Sequence, residues 1–583
     1  MTTTAIFRNF KQANFSRNRF DRGSVFEIWD ANLHHGSVQP FACPEIECED
    51  VGPLKTLYPL PGCKCLGFEE CIDIVRGFCK DQHFYINPDD CLVQATEEEL
   101  CNKETPCLAG APFNKEAPIA SSNCEDDTCD AVGVAYVITY VTQHAGVQVE
   151  SAPSPASNVV ASNGNIPGAT VSWTAGPTDY CIVETRLYRV EASFEDATDS
   201  IPGDTAEYVL VATFPGASSE TFTDTVPTDQ TGYPLTTYEP MAFPAPKGLC
   251  GVARTQDGIV VADKCKVYIS EAGSPQFTWD GVVEIEDEIR AIRAINNTIF
   301  VFTSGRPVKI GFRHTDGGIQ IDRQVVDRDL PLCSVKSLST YGNTVYFAST
   351  HSLYSWDTGA YGADIRPVLT SMLTPEQWKS LDCSSVVGTA YEFGYLFSSK
   401  NIDYSLMVEW GRESGGVVDN AHIMPISYIN ADAFSTTAEG HIVYQQDGNI
   451  YCWDWRRCPC ESAMFDISDN LTLPVAEKCD CCPWRIILYH DTGGGKNRMS
   501  KMRVDFDERS GSIKVKFSIV RFGKETVVEE DMEVLCSLGF SIPKFCSGRA
   551  FQIELEGCGI LHQVKLATSY AELALDSNNQ IET

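Results

Sequence analysis

The segment NTVYFASTHSLYSWD, residues 343–357, decides the fold, because it reads as a strand, a tight turn and a second strand. Four other copies of this unit span 257–271, 297–312, 393–410 and 440–454. The five copies begin 40, 46, 50 and 47 residues apart. Two copies end in Trp-Asp, at Trp356-Asp357 and Trp453-Asp454. A four-stranded propeller blade takes about 40–50 residues. Residues 247–456 are therefore predicted to form about five propeller-like blades.

The alternative for this region is a second β-sandwich without repeats, because the five hairpins resemble one another only in pattern. Helices are expected to be few and short. TPEQWKSL at 374–381 predicts one between two of the hairpins, and TEEELC at 96–101 fits one helical turn.

A long strand opens the region before the repeats, in GVAYVITYVTQHAGVQVESAPSP at 133–155. Alternate side chains, beginning with Tyr136, point to one face of it. Short strands separated by frequent turn signals follow, as in a sandwich of the fibronectin type III or immunoglobulin kind. Residues 131–236 are therefore predicted to form such a module, with Trp173 and Tyr188 at aromatic core positions.

The rest of the chain completes a mostly β, multidomain fold. Residues 1–130 are an irregular, Cys-rich N-terminal region from which no fold can be drawn. Three prolines around 241–251 predict an extended linker between the sandwich and the repeats. Residues 457–583 alternate at period two and predict a C-terminal antiparallel β region.

The chain is strongly acidic, with 79 acidic and 45 basic residues and a net charge of −34. Such a protein is not expected to coat nucleic acid nonspecifically, because binding to phosphates needs a basic surface. An acidic wall could still keep DNA from sticking to a channel. The other interpretation of the charge is solubility alone.

The N-terminal residues lack the apolar segment of a secretory signal, and no stretch of 18 apolar residues occurs. Folding in a cytoplasm is the resulting expectation. Disulfides are rare in a reducing compartment, so most of the 25 cysteines are expected to be free thiols.

A structural zinc site is one interpretation of the cysteines near residues 458–482. The four weak candidates for zinc ligands are Cys458, Cys460, Cys479 and Cys481, followed directly by Cys482. Thiolates in two clusters can hold Zn²⁺, although C-x-C is a less usual spacing than C-x2-C. Two disulfides or free thiols are the alternatives, and no cofactor is otherwise expected.

No motif predicts a catalytic site. The segment DTGGGKNRM at 491–499 departs from the phosphate-loop pattern, because Asn497 follows Lys496 where Ser or Thr is needed. The acidic segment CEDDTCD at 124–130 lacks the glycine and terminal glutamate of a calcium loop. The chain is therefore not expected to be an enzyme.

Four segments resemble, in the same order along the chain, motifs of virion proteins from short-tailed bacteriophages. The second of them combines the Tyr-Val-x-Thr-Tyr-Val strand with a Glu-Ser-x-Pro-Ser-Pro turn. The segments are FEIWDANLHHGSVQPFACP at 26–44, the 133–155 stretch, PKGLCGVARTQDGIVVADKCKVYISEAGSPQFTW at 246–279 and GRAFQIELEGCGILHQVKLATSYAELA at 548–574. The family they resemble is the tail nozzle, also called tail tubular protein B.

The resemblance implies a virion structural protein without catalytic activity. In that family a homo-hexameric ring, with a β-propeller on each subunit, forms the distal tail tube through which phage DNA is ejected into the host. The implied partners are a tail adaptor protein above, tail fibres or spikes, and genomic DNA that passes through the lumen without specific binding. The implied location is the virion tail, after synthesis and assembly in the host cytoplasm. The Cys-rich stretches at 43–130 and 452–482 depart from the family pattern.

Two other functions remain open at the level of the sequence. Propellers and sandwiches also occur in receptor- or carbohydrate-binding tail proteins, which act as adhesins. A polysaccharide-degrading tail enzyme would need a pair of catalytic carboxylates, which sequence motifs rarely reveal.

Overall fold

Almost every element in the described part of the chain is a β-strand, and the sheets are antiparallel. The α-helices within it are Glu97–Cys101 and Pro375–Ser380, and each begins with a capping box at the segment where the sequence predicts a helix. The computed structural model describes residues 5–8, 25–32, 38–60, 65–78, 83–88, 91–102, 104, 106–123, 132–162, 166–193, 207–237, 242–315, 318–358, 365–369, 373–392, 394–409, 422–456, 483–491, 497–506, 513–520, 530–534, 540–548, 550–558 and 560–567.

The chain divides into two compact units. Unit 1 draws on residues 1–69, 333–357 and 364–583, and unit 2 draws on 70–332 and 358–363. No helix in the described ranges is long and apolar enough to cross a bilayer.

Two successive four-stranded sheets of unit 2, blade sheets 1 and 2, are meanders in which neighbouring strands follow one another along the chain. This is the strand order of a propeller blade. The first strands of the two sheets pack against each other, and buried valines and isoleucines fill the space between the sheets. The strands are Gly251–Arg254, Ile259–Ala262, Lys266–Ser270 and Phe277–Glu284 in sheet 1, and Ile289–Ile295, Thr298–Thr303, Val308–Thr315 and Gly318–Val325 in sheet 2.

Three more sheets of this kind, blade sheets 3 to 5, lie in unit 1, and their first strands also pack against one another in order. Trp356 and Trp453, from the two Trp-Asp copies, are completely buried. The strands are Ser339–Tyr341, Thr344–Ala348, Leu353–Asp357 and Ile365–Pro367 in sheet 3, Val387–Tyr391, Gly394–Ser398, Ser405–Glu409 and His422–Ile426 in sheet 4, and Ala433–Thr436, Ile442–Gln446 and Asn449–Trp453 in sheet 5.

The fourth strand of blade sheet 5 comes from the other end of the chain. Glu45–Cys48 pairs antiparallel with Asn449–Trp453, and Trp453 Nε1 donates a hydrogen bond of 2.9 Å to the carbonyl oxygen of Ala42. The hairpin of Thr56–Pro59 and Cys65–Phe68 packs on the same sheet. Residues of the Cys-rich N-terminal region therefore complete a sheet that begins almost 400 positions later.

The N-terminal region also supplies a four-stranded sheet to unit 2. Its order is Cys107–Leu108, Val93–Thr96, His83–Ile86 and Ile74–Arg76, and the last of these packs against the first strand of blade sheet 1. Asp73 fixes this junction, because its carboxylate accepts a hydrogen bond from the Val252 amide at 3.2 Å and pairs with Arg293 at 2.9 Å.

A β-sandwich lies in unit 2 where the sequence predicts the fibronectin-like module. Its larger sheet consists of Val147–Glu150, Val132–His144, Ile182–Ser193 and Val209–Pro215, with Val160–Ala161 added on Val132–His144. The facing sheet consists of Ile119–Ser121, Thr170–Ser172 and Thr221–Thr223.

The long strand Val132–His144 is buried on both faces. Tyr136 and Trp173 belong to the core between the two sheets, and for Trp173 this is the position that the sequence predicts. Tyr188 is also buried, but it packs with Val137 on the opposite face of the larger sheet. Its neighbour Leu187 belongs to the inter-sheet core. Because successive side chains of a strand point to opposite faces, Tyr188 lies outside that core.

The Ser-rich segment after the long strand pairs with it in an irregular way. Ser151, Ser154 and Ser157 each donate a backbone amide to a carbonyl of the strand, and each hydroxyl oxygen accepts the amide of the same strand residue. The strand partners run from Tyr140 back to Tyr136 in steps of two, whereas the serines advance in steps of three. The hydroxyl groups thus satisfy amides that a regular neighbouring strand would have satisfied.

A second sandwich in unit 1 combines both ends of the chain. Its sheets have the orders Ala5–Arg8, Leu561–Ala567, Asn497–Phe506, Phe540–Gly548 and Val25–Trp29, Trp484–Asp491, Ala550–Gly557, Ile513–Val520, Glu530–Val534. A short hairpin, Ala31–Asn32 with Gln39–Pro40, follows the N-terminal strands. The predicted C-terminal antiparallel region is present, and N-terminal strands extend both of its sheets.

The domain boundaries at 130, 236, 247 and 456 stay predictions. The two compact units have boundaries that differ from these predicted ones. Unit 1 joins residues 1–69 to 364–583, and unit 2 contains both the sandwich and blade sheets 1 and 2.

Candidate functional site

The predicted zinc ligands Cys458, Cys460, Cys479 and Cys481 lie outside the described residues, as do 124–130. Within the described ranges, no group of three or more His, Cys, Asp or Glu side chains has a geometry that could hold a metal ion. The zinc interpretation therefore stays a prediction.

One polar cluster lies on the larger sandwich sheet around the Glu150 carboxylate. Thr139 and Tyr188 each donate a hydroxyl hydrogen bond of 2.7 Å to Oε1, and Arg186 pairs with Oε2 at 2.7 Å. The guanidinium also lies 5.7 Å from the centre of the Tyr233 ring. Burial opposes the charge on Arg186, but Glu150, Tyr233, Glu184 and Tyr188 together outweigh burial and raise the pKa of the guanidinium. Every group in this cluster is engaged by a neighbour, so it holds the sheet surface together.

A second cluster lies inside the sandwich. Asp224 pairs with Arg189 at 2.7 Å, and both side chains are buried, with exposures of 0% and 1%. Tyr136 donates its hydroxyl to the same Asp224 oxygen at 2.9 Å. The other carboxylate oxygen accepts the Val226 amide at 3.0 Å. Burial and the adjacent carboxylate raise the pKa of Tyr136 well above its ordinary value. This ion pair joins strands of the two sheets.

A third cluster contains two histidines at the junction of the N-terminal sheet of unit 2 and the long sandwich strand. The His83 ring centre lies 4.7 Å from that of Tyr85 and 5.3 Å from that of His144. His144 Nε2 lies 3.0 Å from the Glu99 carboxylate. A side chain at residue 77 would place its Cβ 2.4 Å from His83 Nδ1, so Gly77 makes room for the imidazole.

The pKa of His83, in the histidine cluster, is far below its ordinary value. Burial, assisted by the neighbouring His144, lowers the pKa of His83 to about 4. Burial opposes the charge of Glu99, but hydrogen bonds from Thr96 and the nearby His144 lower the pKa of its carboxyl group. His83 is therefore a neutral, buried imidazole at neutral pH. No sequence pattern marks it, because the members of the cluster come from two separate strands and a helix.

One disulfide is present, between Cys107 and Cys181 in unit 2. It joins the edge strand Cys107–Leu108 of the N-terminal sheet to the segment directly before the strand Ile182–Ser193. The two cysteines are 74 residues apart. The expectation of mostly free thiols does not hold for this pair.

An exposed tryptophan packed on a half-buried phenylalanine is an aromatic feature on the surface of unit 2. Trp279 is 63% exposed, and its ring centre lies 4.8 Å from that of Phe243. The strand Phe277–Glu284 is the last strand of blade sheet 1, so Trp279 lies on a sheet edge. Large exposed aromatic side chains are common at binding surfaces.

None of the described clusters has the arrangement of a nucleophile, a base and a group that orients it. The polar groups around Glu150 bind one another. The Arg189–Asp224 pair is held through Arg189 Nη1, whereas Arg189 Nε and Nη2 are buried without a hydrogen-bond partner. Sequence reasoning did not identify the histidine cluster or the Trp279 pair.

No protein-family model and no curated protein matches the chain. Solved structures to which it is similar include the Pan2 WD40 domain of Neurospora crassa, with 9% identity and a TM-score of 0.25 over 51% of this chain and 86% of that one. An exo-β-1,3-galactanase of Phanerochaete chrysosporium shares 8% identity at a TM-score of 0.19 over 55% of this chain and 95% of that one. AztD of Citrobacter koseri shares 7% identity at a TM-score of 0.20 over 51% of this chain and 98% of that one. Scores this low carry no argument, so the blade-like strand order of the chain stands on its own hydrogen-bond pattern.

Proposed function

We propose that the protein is a virion structural protein, the tail nozzle subunit of a short-tailed bacteriophage. Six copies form a ring that serves as the distal tail tube, with blade-like sheets in each subunit. A tail adaptor protein contacts the ring from above, and tail fibres or spikes attach to it. Phage DNA passes through the lumen without specific binding. The protein acts in the virion tail, after synthesis and assembly in the host cytoplasm, and it has no catalytic activity.

The observation that carries the proposal is the meeting of the first and last family-like segments in one sandwich. The strand Val25–Trp29, from the 26–44 segment, pairs with Trp484–Asp491. Trp484–Asp491 pairs on its other side with Ala550–Gly557, from the 548–574 segment. Val38 and Leu561 also exchange two backbone hydrogen bonds, of 3.0 and 2.9 Å. Segments more than 500 positions apart thus belong to one element of structure, which supports treating them as one family pattern.

The charge of the chain agrees with a conduit for DNA. Six copies at −34 each carry −204 (6 × −34). A tube with an acidic wall repels phosphates, so DNA slides through it instead of binding.

Purified protein mixed with the adaptor and other tail components is expected to form rings of six copies. Mass photometry should then show a particle that contains six chains of 64.2 kDa, 385.2 kDa (6 × 64.2), in addition to the bound adaptor, and negative-stain images should show a central hole. Double-stranded DNA should show no binding in the same buffer at physiological salt, because the surface is acidic.

The mixture without the adaptor is the control, since nozzle subunits can depend on a template for assembly. A stable trimer, or a monomer that stays outside the tail particles in the full mixture, would contradict the nozzle proposal.

A receptor- or carbohydrate-binding tail protein is the second candidate, and the exposed Trp279 favours it. Under this candidate the chain binds host surface polysaccharide, and Trp279→Ala weakens binding at least about tenfold, because buried aromatic anchors dominate interfaces. Tyr341→Ala, which removes another exposed aromatic ring, is the matched control and should leave binding unchanged. Absence of binding to host polysaccharide by the wild-type protein would exclude this candidate.

A further inference from the structure

Two cysteines of unit 1 lie in direct contact. Cys383 Sγ lies 2.6 Å from Cys333 Sγ. A disulfide bond is about 2.05 Å long, and two unbonded sulfur atoms keep much farther apart than 2.6 Å. Both residues are partly exposed. The two sulfur atoms thus lie close to bonding distance.

The two cysteines occupy corresponding positions in successive repeats. Each lies a few residues before the first strand of a blade sheet, sheet 3 for Cys333 and sheet 4 for Cys383. A 3₁₀ turn is next to each of them, since Cys333 precedes Val335–Ser337 by two residues and Cys383 begins Cys383–Ser385. They are 50 residues apart, which equals the step between the corresponding hairpins. The contact therefore follows from the repeat itself, because the first strands of adjacent sheets pack together.

The backbone holds both residues in place. The Cys333 amide donates to the Ala348 carbonyl at 3.0 Å, which fixes it to the second strand of sheet 3. Asp382, directly before Cys383, accepts the Ser385 amide at 2.9 Å through its carbonyl and the Ser384 hydroxyl at 2.7 Å through its side chain. Closing the remaining gap between the sulfur atoms needs only a small side-chain movement.

We propose that Cys333 and Cys383 are a redox-sensitive pair that closes to a disulfide when the protein meets a low-molecular-weight disulfide such as oxidised glutathione. The bond would connect the segments that lead into blade sheets 3 and 4. Unit 1 would then have a cross-link of its own, as unit 2 has in Cys107–Cys181. This proposal does not depend on the proposed function.

The exchange proceeds in two balanced steps. The Cys383 thiolate attacks one sulfur of oxidised glutathione, forms a mixed disulfide and releases one glutathione thiolate. Cys333 then attacks the Cys383 sulfur, releases the second glutathione and gives up its proton to it. Two protein thiols are oxidised and one glutathione disulfide is reduced to two thiols. Burial and the adjacent Cys383 raise the pKa of Cys333, which makes it the resolving rather than the first attacking thiol.

Peptide mapping of the full-length protein tests the proposal. The protein is incubated with reduced or oxidised glutathione, alkylated and digested with trypsin without reduction. Residues 329–336 and 380–400 are tryptic peptides with one cysteine each, so their cross-linked product has a unique mass. This product is expected after oxidised glutathione and not after reduced glutathione. Alkylation of both cysteines after oxidation, or links to other cysteines, would overturn the proposal.

Thermal unfolding of the intact protein gives a second readout, which does not depend on peptide mapping. Closing a loop of 50 residues is expected to raise the unfolding temperature of the oxidised protein by roughly 5 °C. Cys333→Ser and Cys383→Ser should each abolish this rise, whereas Cys71→Ser, at an exposed free cysteine in unit 2, should retain it. If either serine variant fails to fold, the peptide map of the wild-type protein still decides the outcome.

Discussion

Replacing Asp224 with alanine is expected to lower the free energy of unfolding by about 3–5 kcal/mol. The substitution leaves the guanidinium of Arg189 with 1% exposure and without its counter-charge. The charge remains, because arginine does not deprotonate in proteins. The Tyr136 hydroxyl and the Val226 amide also lose their acceptor. A buried charge without a partner is among the few causes of so large an effect from one substitution.

A double variant separates the loss of the pair from the loss of one partner. Arg189→Met combined with Asp224→Leu should cost less than Asp224→Ala alone, because no unpaired charge is left in the core. Removing an exposed pair is the matched control. Glu284→Ala breaks a 3.0 Å contact with Lys266 at side chains that are 78% and 38% exposed, and it should cost less than about 1 kcal/mol.

Hydrogen exchange of the sandwich strand Ile182–Ser193 at increasing urea concentrations measures these differences. If the double variant cost as much as the sum of its two single variants, the buried pair would contribute no coupling energy, and the explanation offered for Asp224→Ala would be wrong.

The blade sheets show how far local patterns predict this fold. Each of the five hairpins identified from the sequence forms the two central strands of a four-stranded sheet, because alternation and turn residues act over a few positions. The strand Glu45–Cys48 could not be predicted in the same way. Its four residues, EIEC, alternate polar and apolar side chains, but all four are exposed, Ile46 by 52%, so no buried face marks the strand. Its partner lies about 400 positions away, and no local signal specifies such a pairing.

The faces of the sandwich sheet illustrate a second limit. The prediction of an aromatic core position places Trp173 in the inter-sheet core correctly, but Tyr188 lies on the other face of the sheet from its neighbour Leu187. Both faces of this sheet are covered, so an aromatic residue is buried on either side and burial does not identify the face. The polar clusters were harder still to predict. His83, Glu99 and His144 are joined by sheet pairing and a helix cap, which composition and spacing do not reveal.

Lowering the pH from 7 to 4 is expected to destabilise unit 2 by about 3 kcal/mol through His83 alone. Its pKa is about 4 in the folded protein, compared with about 6.5 in an unfolded chain. Between these values the unfolded state binds the proton and the folded state does not. The stability contributed by the neutral imidazole is therefore fully present above the unfolded pKa of about 6.5, falls as the pH drops through the folded pKa of about 4, and levels off about one pH unit below it.

The variant His83→Asn distinguishes this effect from the general response of an acidic protein. It should unfold more easily at pH 7, because Asn fills the space beside Tyr85 less well, but it should lose about 3 kcal/mol less than the wild type between pH 7 and 4. Hydrogen exchange of the strand His83–Ile86 reports the local stability at each pH. His351→Asn, which removes an exposed histidine of unit 1, should leave the wild-type pH dependence in place. An identical pH dependence in His83→Asn and the wild type would contradict this prediction, since it would assign the acid response of unit 2 to its carboxylates and not to the buried imidazole.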